Sequence, residues 1–263
     1  MIVLPIWMLA GQEAPGVERV IQPKLARAAD VEIVIRPKLT LPEIKDAERK
    51  EVDLWIIDEF RCIPVRMITV EVPGQGKRLL WYLVFRATNE GTKPRPFVPN
   101  FTFVDDKGTQ HLDTIIPKAQ LAIQNRHNPL QPLENSITAI RRGLDKDNPA
   151  DWLLPGTEEG VESGNSVTGV AIWDGSDATQ NSFESRRRAA ALPSGDGINP
   201  KLNSFDILIR GLSNGFKLIE DPATGEVVKR QYKTLRLRFA RPGDQFNQNE
   251  REIRYLDHEW LYQ

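Results

Sequence analysis

The chain has little of what most catalytic and metal-binding centres are built from. Cys62 is its only cysteine, which excludes an intrachain disulfide and any CxxC metal or redox motif. With no base near it in sequence, Cys62 reads as a buried, inert thiol. The three histidines, His111, His127 and His258, are far apart in the chain. A zinc site needs three or four converging ligands, so they read as separate, satisfied side chains. No GxSxG, P-loop, HExxH or dinucleotide-binding glycine pattern is present. A dominant charge sign is missing as well. Lys plus Arg number 35 and Asp plus Glu 36, for a net charge of −1. That balance lacks the basic excess of a nucleic-acid binder and gives no pull toward an anionic membrane. No apolar run reaches the ~20 residues that span a bilayer. The sequence therefore predicts no cofactor, no metal, no nucleic-acid partner and no stable membrane span.

What is present points to strands. The 263 residues suffice for one large or two small domains, and 40% of them are hydrophobic, enough for a sizeable core. Gly 18 and Pro 19 supply many turns. Ile2–Ala10 is apolar and is followed by small and polar residues, like the hydrophobic and cleavage regions of a signal peptide. No Lys or Arg precedes it, so the alternatives are a leader remnant over 1–11 and an N-terminal strand of the fold. Val31, Ile33 and Ile35 alternate before Pro37, which predicts a strand. Thr40 with Glu43 has capping-box spacing, and Pro42 suits a first turn. This predicts a short charged helix to about Asp53, with Ile44, Ala47 and Trp55 on its apolar stripe.

Beyond it the period is two. Ile68, Val70 and Val72 share a face and stop at Pro73-Gly74. In Leu79–Thr88, one face carries Leu79, Trp81, Leu83, Phe85 and Ala87. The other carries Leu80, Tyr82 and Val84 before turning polar. Asp105-Asp106-Lys107-Gly108 marks a hairpin, Pro117 opens a second helix to His127, and Asp221–Glu226 is a further hairpin loop. Five strand-and-turn units follow residue 165, among them 216–230 and 233–244 as separate units, the latter ending in a Pro242-Gly243 turn. Leu235, Leu237 and Phe239 point one way and Arg236 and Arg238 the other, a strand with one wet face. Two stretches without strand periodicity, 144–165 and 177–203, read as excursions from one domain. No sequence repeat is apparent.

Few residues are candidates for chemistry. Asp174, Ser176, Asp177 and Asn181 crowd one loop with oxygens, but the spacing lacks the alternation and sixth-position glycine of an EF-hand, so a strand-end turn explains them. Asp257 and Glu259 face away from His258 in a strand, which argues against paired acid–base work. Arg186, Arg187 and Arg188 could pair with phosphate or acidic groups, yet lie beside Ala and Pro-Ser-Gly stretches typical of a solvated loop. Asn100-Phe101-Thr102 is a glycosylation sequon, relevant only to a eukaryotic secretory route. Of the tryptophans Trp7, Trp55, Trp81, Trp152, Trp173 and Trp260, Trp81 reads as core. Trp152 and Trp173 flank an excursion, so they, with Asp174 and Asp177, are the ligand-binding candidates against a reading as core or rim packing.

Short strands with regular turns suggest a β-sandwich. One stretch adds to this. The strand ending in "ATNEGTKPRPF" is followed by "NFTFVDDKGTQHLD", with Asn89, Gly91, Phe103, Asp106 and Gly108 in the places expected. The stretch resembles bacterial exported immunoglobulin-like modules of unknown function, over about residues 79–113. The resemblance implies an immunoglobulin-like sandwich in an extracytoplasmic setting and brings no catalytic residue with it. The expected architecture is an all-β, antiparallel immunoglobulin-like sandwich over 54–263, with one or two short helices and long loop excursions. An extension over 12–53, bearing a strand and a helix, precedes it. The expected function is a non-enzymatic, exported (periplasmic or cell-envelope) interaction or structural module, whose protein partner binds through loops or at a sheet edge. The alternatives are a carbohydrate-binding or hydrolytic accessory domain and a cytoplasmic regulatory protein.

Overall fold

A computed structural model describes residues 32–136 (without 75, 92, 94, 128 and 131), 152–153, 166–175, 198, 202–241 and 253–263. The described chain is all-β, with two antiparallel sheets facing one another and two short helices. The strands are β1 (Ile33–Ile35), β2 (Glu59–Cys62), β3 (Arg66–Val72), β4 (Gly76–Thr88), β5 (Arg95–Pro96), β6 (Asn100–Val104), β7 (Gln110–Leu112), β8 (Trp152–Leu153), β9 (Ser166–Asp174), β10 (Ser204–Arg210), β11 (Phe216–Glu220), β12 (Val227–Ala240) and β13 (Arg254–Tyr262). The helices are α1 (Leu41–Arg49) and α2 (Pro117–His127).

The two sheets repeat one plan. In the first, the 13-residue β4 pairs with β9, with its hairpin partner β3 along Gly76–Tyr82, and with β2 along Phe85–Thr88; β1 then pairs with β2. In the second, the 14-residue β12 pairs with β13, with its hairpin partner β11 along Val227–Tyr232, and with β10 along Leu235–Ala240. Here β6 pairs with β10 as β1 does with β2, and β7 continues the sheet beyond β6. Each sheet is thus a long hairpin with one interrupted arm, at Ile63–Val65 in the first sheet and Gly211–Gly215 in the second. No sequence repeat accompanies this, because the plan demands only alternation and turns.

Alternation decides which side chains meet. Trp81, Leu83, Phe85 and Ala87 from β4, and Leu235, Leu237 and Phe239 from β12, enter the core between the sheets. Phe103 stacks on Phe205 at 4.5 Å, and Phe205 on Phe239 at 5.2 Å. Trp81 meets both Phe103 and Phe205 edge-on at 5.6 and 5.4 Å, the geometry ring quadrupoles favour. The other face of β4 is apolar too, because α2 covers it. Ala119 and Ile123, one helical turn apart, pack on Leu80, Tyr82, Val170 and Ile172. No described helix is long and apolar enough to cross a membrane.

The turns form where the side chains dictate. Asp105 accepts from the backbone N–H of Lys107 and Thr109, and Gly108 takes φ +82°. The Asn89-Glu90-Gly91 turn is held from β2's side by Asp58, whose carboxylate accepts the N–H groups of Glu90 and Gly91. Asp221–Glu226 closes the β11–β12 hairpin with Gly225 at φ +69°. The two units expected at 216–230 and 233–244 share a single strand, β12. Its start, Val227–Arg230, is exposed and places two adjacent valines before polar residues, so it carries no alternation to read.

The helix α1 departs from expectation. Its inward residues are Glu43 and Ala47, while Ile44 and Leu41 are exposed. Trp55 lies beyond the helix and is buried in the core. The strand of the N-terminal extension, β1, is part of the first sheet. The expected excursions 144–165 and 177–203, and the Pro242-Gly243 turn, lie almost wholly outside the described residues.

Candidate functional site

Among the described residues, the second sheet carries a buried ionic cluster. The alternation that directs Leu235, Leu237 and Phe239 inward also directs Lys233 inward, and its side chain is 2% exposed. Glu43 reaches it from α1, wholly buried, at 2.9 Å. The same carboxylate oxygen accepts the backbone N–H of Thr40 at 2.5 Å and its hydroxyl at 2.8 Å. Lys233 also donates to the Lys38 carbonyl at 2.9 Å and lies 5.4 Å from the centre of the Trp260 ring. Its ammonium therefore has a carbonyl, a carboxylate and an aromatic face around it. Gly215 closes the cluster, since a side chain there would overlap Glu43 Oε1 at 2.5 Å.

Burial alone would push the Glu43 carboxyl up. The hydrogen bonds from Lys233, Thr40 and Tyr262 outweigh it and hold the group below the ordinary glutamate range. Tyr262, whose hydroxyl lies 3.4 Å from the Thr40 hydroxyl, moves the other way. Burial, with the Glu43 carboxylate beside it, pushes its phenol up to about 12. The geometry is that of a tether, joining residues 190 positions apart. Its sequence signals were an inward-facing lysine in an apolar strand and a capping-box glutamate, neither of which identifies the partner.

A second feature is the edge of the same sheet. Tyr232 and Gln263 exchange backbone hydrogen bonds at 2.9 and 3.2 Å. This fixes the ladder so that His258, Trp260 and Tyr262 direct their N–H and C=O groups away from β12. Among the described residues no strand pairs with that side of β13. On the outer face, Arg238 grips Asp257 through two bonds of 2.5 and 2.6 Å, and Arg236 pairs with Glu259. His258 faces the opposite way and bonds the Tyr255 hydroxyl at 2.6 Å. The edge of β9, by contrast, is covered. Ile172, Thr168 with Val170, and Asp174 are bonded by Thr114, Glu134 and Ile198 respectively.

Of the expected ligand-binding residues, the side chains of Trp173 and Asp174 are described. Trp173 lies wholly inside the core, edge-on to Phe103 at 5.8 Å, so its ring offers no rim to a ligand. This corrects the expectation of a binding surface there, because Trp173 pairs directly with Trp81 across the ladder and shares its inward face. Asp174 is bonded to Arg78, and burial pushes its carboxyl up despite that partner. The backbone of Trp152 pairs with Pro96, while its side chain and Asp177, with Arg186–Arg188, lie outside the described residues. His111 approaches Asp105 at 3.6 Å, and His127 bonds Tyr82 at 3.1 Å. Each histidine thus has its own neighbour, and no group of three or more metal-ligating side chains occurs among the described residues. Cys62 is buried, and burial raises its thiol far above the ordinary range.

No family model, curated protein or solved structure matches the chain.

Proposed function

We propose that the protein is an exported, non-enzymatic immunoglobulin-like module that binds a protein partner by strand addition at β13. The observation that carries this reading is the side of β13 that faces away from β12, where no described strand pairs with the outward groups of His258, Trp260 and Tyr262. Unpaired N–H and C=O groups on an edge strand are a template for another chain, and main-chain pairing supplies affinity while alternate side chains supply selectivity. Trp260 and Tyr255, half-buried along the inner side of that edge, are the aromatic anchors such a strand would meet. The export half of the reading rests on the apolar Ile2–Ala10 segment and on the resemblance carried by Asn89, Gly91, Phe103, Asp106 and Gly108.

The test is co-purification from the native cell, with the wild-type protein beside a His258→Pro variant. Proline removes one outward N–H and is tolerated on edge strands. A partner held by the wild type and lost by the folded variant supports the reading. Equal retention by both contradicts it. N-terminal sequencing tests export independently, since a native chain starting near Gln12 supports it and an intact Met1 does not.

A further inference from the structure

We infer that α1 is a detachable cover over the end and edge of the second sheet, latched by the Glu43–Lys233 ion pair and released when Glu43 is protonated. The edge it covers is that of β11, not the β13 edge proposed for binding, although Trp260 and Tyr262 of β13 line the same cluster.

The first observation is the ladder. Lys233 donates its backbone N–H to Gly215 at 2.8 Å, so Gly215, Lys217 and Ile219 bond toward β12, and Leu218 points its N–H outward. Asp46 on α1 accepts that outward N–H at 2.9 Å. The helix thus occupies the β11 edge with a carboxylate where another strand would place a carbonyl. The second observation is how little apolar surface holds it. Of its side chains only Glu43 and Ala47 are buried, while Leu41 is 72% exposed and Ile44 37%. Its bonds to the second sheet are polar, namely Arg49 with Glu220, Asp46 with Leu218, and Glu43 with Lys233. A cover held by ionic and polar contacts can leave without dismantling the aromatic core, which lies between the sheets.

The trigger follows from the surroundings of Glu43. It is faced by Lys233 from β12, by Tyr262 from β13, and by Thr40 and the Lys38 carbonyl from the segment before α1. On the neighbouring β11, Lys217 lies over the Tyr262 ring at 4.0 Å, and Glu220 pairs with Arg49. Lys233 is the only cation bonded to Glu43 among the described residues. Protonating Glu43 removes that compensation and leaves a buried ammonium with no counter-charge, an arrangement proteins rarely sustain. Because the folded carboxyl lies below its ordinary value, the latch is intact above pH 4.5 and opens as pH falls through a lower midpoint. Opening exposes the outward N–H and C=O groups of β11 to pairing.

Amide hydrogen exchange between pH 3 and 7, corrected for intrinsic rates, tests this. The amides of Leu218 and Thr40 should lose protection on the order of 100-fold at the acid end, while that of Leu83 in β4 stays protected. Glu43→Gln should leave Leu218 and Thr40 unprotected at every pH. Asp46→Ala, which has no side-chain acceptor, should free Leu218 alone and preserve the midpoint at Thr40. The inference is overturned if Leu218 loses protection only together with Leu83, or if Glu43→Gln keeps the wild-type midpoint. Should that variant fail to fold, the wild-type series still decides: Leu218 and Thr40 losing protection before Leu83 supports the inference, and their losing it only together with Leu83 overturns it.

Discussion

Replacing Lys233 with Met should destabilise the protein more than any surface change of similar size. The substitution keeps the side chain's length and removes the charge that compensates a wholly buried carboxylate. It also strands the Lys38 carbonyl, which accepts from Lys233 at 2.9 Å. Removing one member of a buried pair costs about 3–5 kcal/mol, against at most about 1 kcal/mol for an exposed pair. Glu43→Gln leaves the ammonium without its counter-charge and should cost a comparable amount. The double variant carries neither buried charge, and its glutamine can still accept from the Thr40 N–H. Its cost should therefore fall to about 1–2 kcal/mol, the value of one or two neutral hydrogen bonds. Urea unfolding at pH 7 of the wild type, both single variants and the double variant gives the coupling energy directly. A favourable coupling of about 3 kcal/mol or more is expected. Strictly additive single costs, or a Lys233→Met cost below about 1 kcal/mol, would refute the account of this pair.

Other outcomes follow from single contacts. Tyr262 has its phenol raised from 10.0 to about 12, so the folded state favours its neutral form. That contribution is complete below pH 10 and is lost as pH rises toward 12; Tyr262→Phe should flatten this alkaline loss in a stability–pH profile. Gly169 on β9 lies against the Glu134 carbonyl and the Phe85 ring, where a Cβ would stand 2.6 Å from each. Gly169→Ala should cost about 1–3 kcal/mol by overpacking, read as a lower denaturation midpoint with unchanged slope. Cys62, fully buried with its thiol ionisation suppressed, should resist a thiol-specific disulfide reagent in the native protein and react at once in denaturant.

Much of the fold was legible because its signals are local. The span of α2 matches Pro117–His127 as expected, and the alternation names the core residues Trp81, Leu83, Phe85 and Ala87 and Leu235, Leu237 and Phe239 correctly. The hairpins at Asp105–Gly108 and Asp221–Glu226 form where their turn residues stand. What failed to show was tertiary. The inward face of α1 could not be read because hydrophobicity points to Ile44, whereas a partner nearly two hundred positions away draws Glu43 inward. The shared plan of the two sheets leaves no trace in residue identity, since pairing needs only alternation. Its position beside an excursion leaves Trp173 open between packing and a binding surface. The register that sets it opposite Trp81 makes it core, and no local pattern encodes that register.

The central functional claim is that β13 is the binding edge, and amide exchange on the partner-bound protein tests it most directly. In the complex, the outward amides of His258, Trp260 and Tyr262 should become protected, while those of β4 and β9 stay as in the free protein. If those three amides exchange as fast with the partner bound as without it, and protection appears only in loops, strand addition at β13 is wrong.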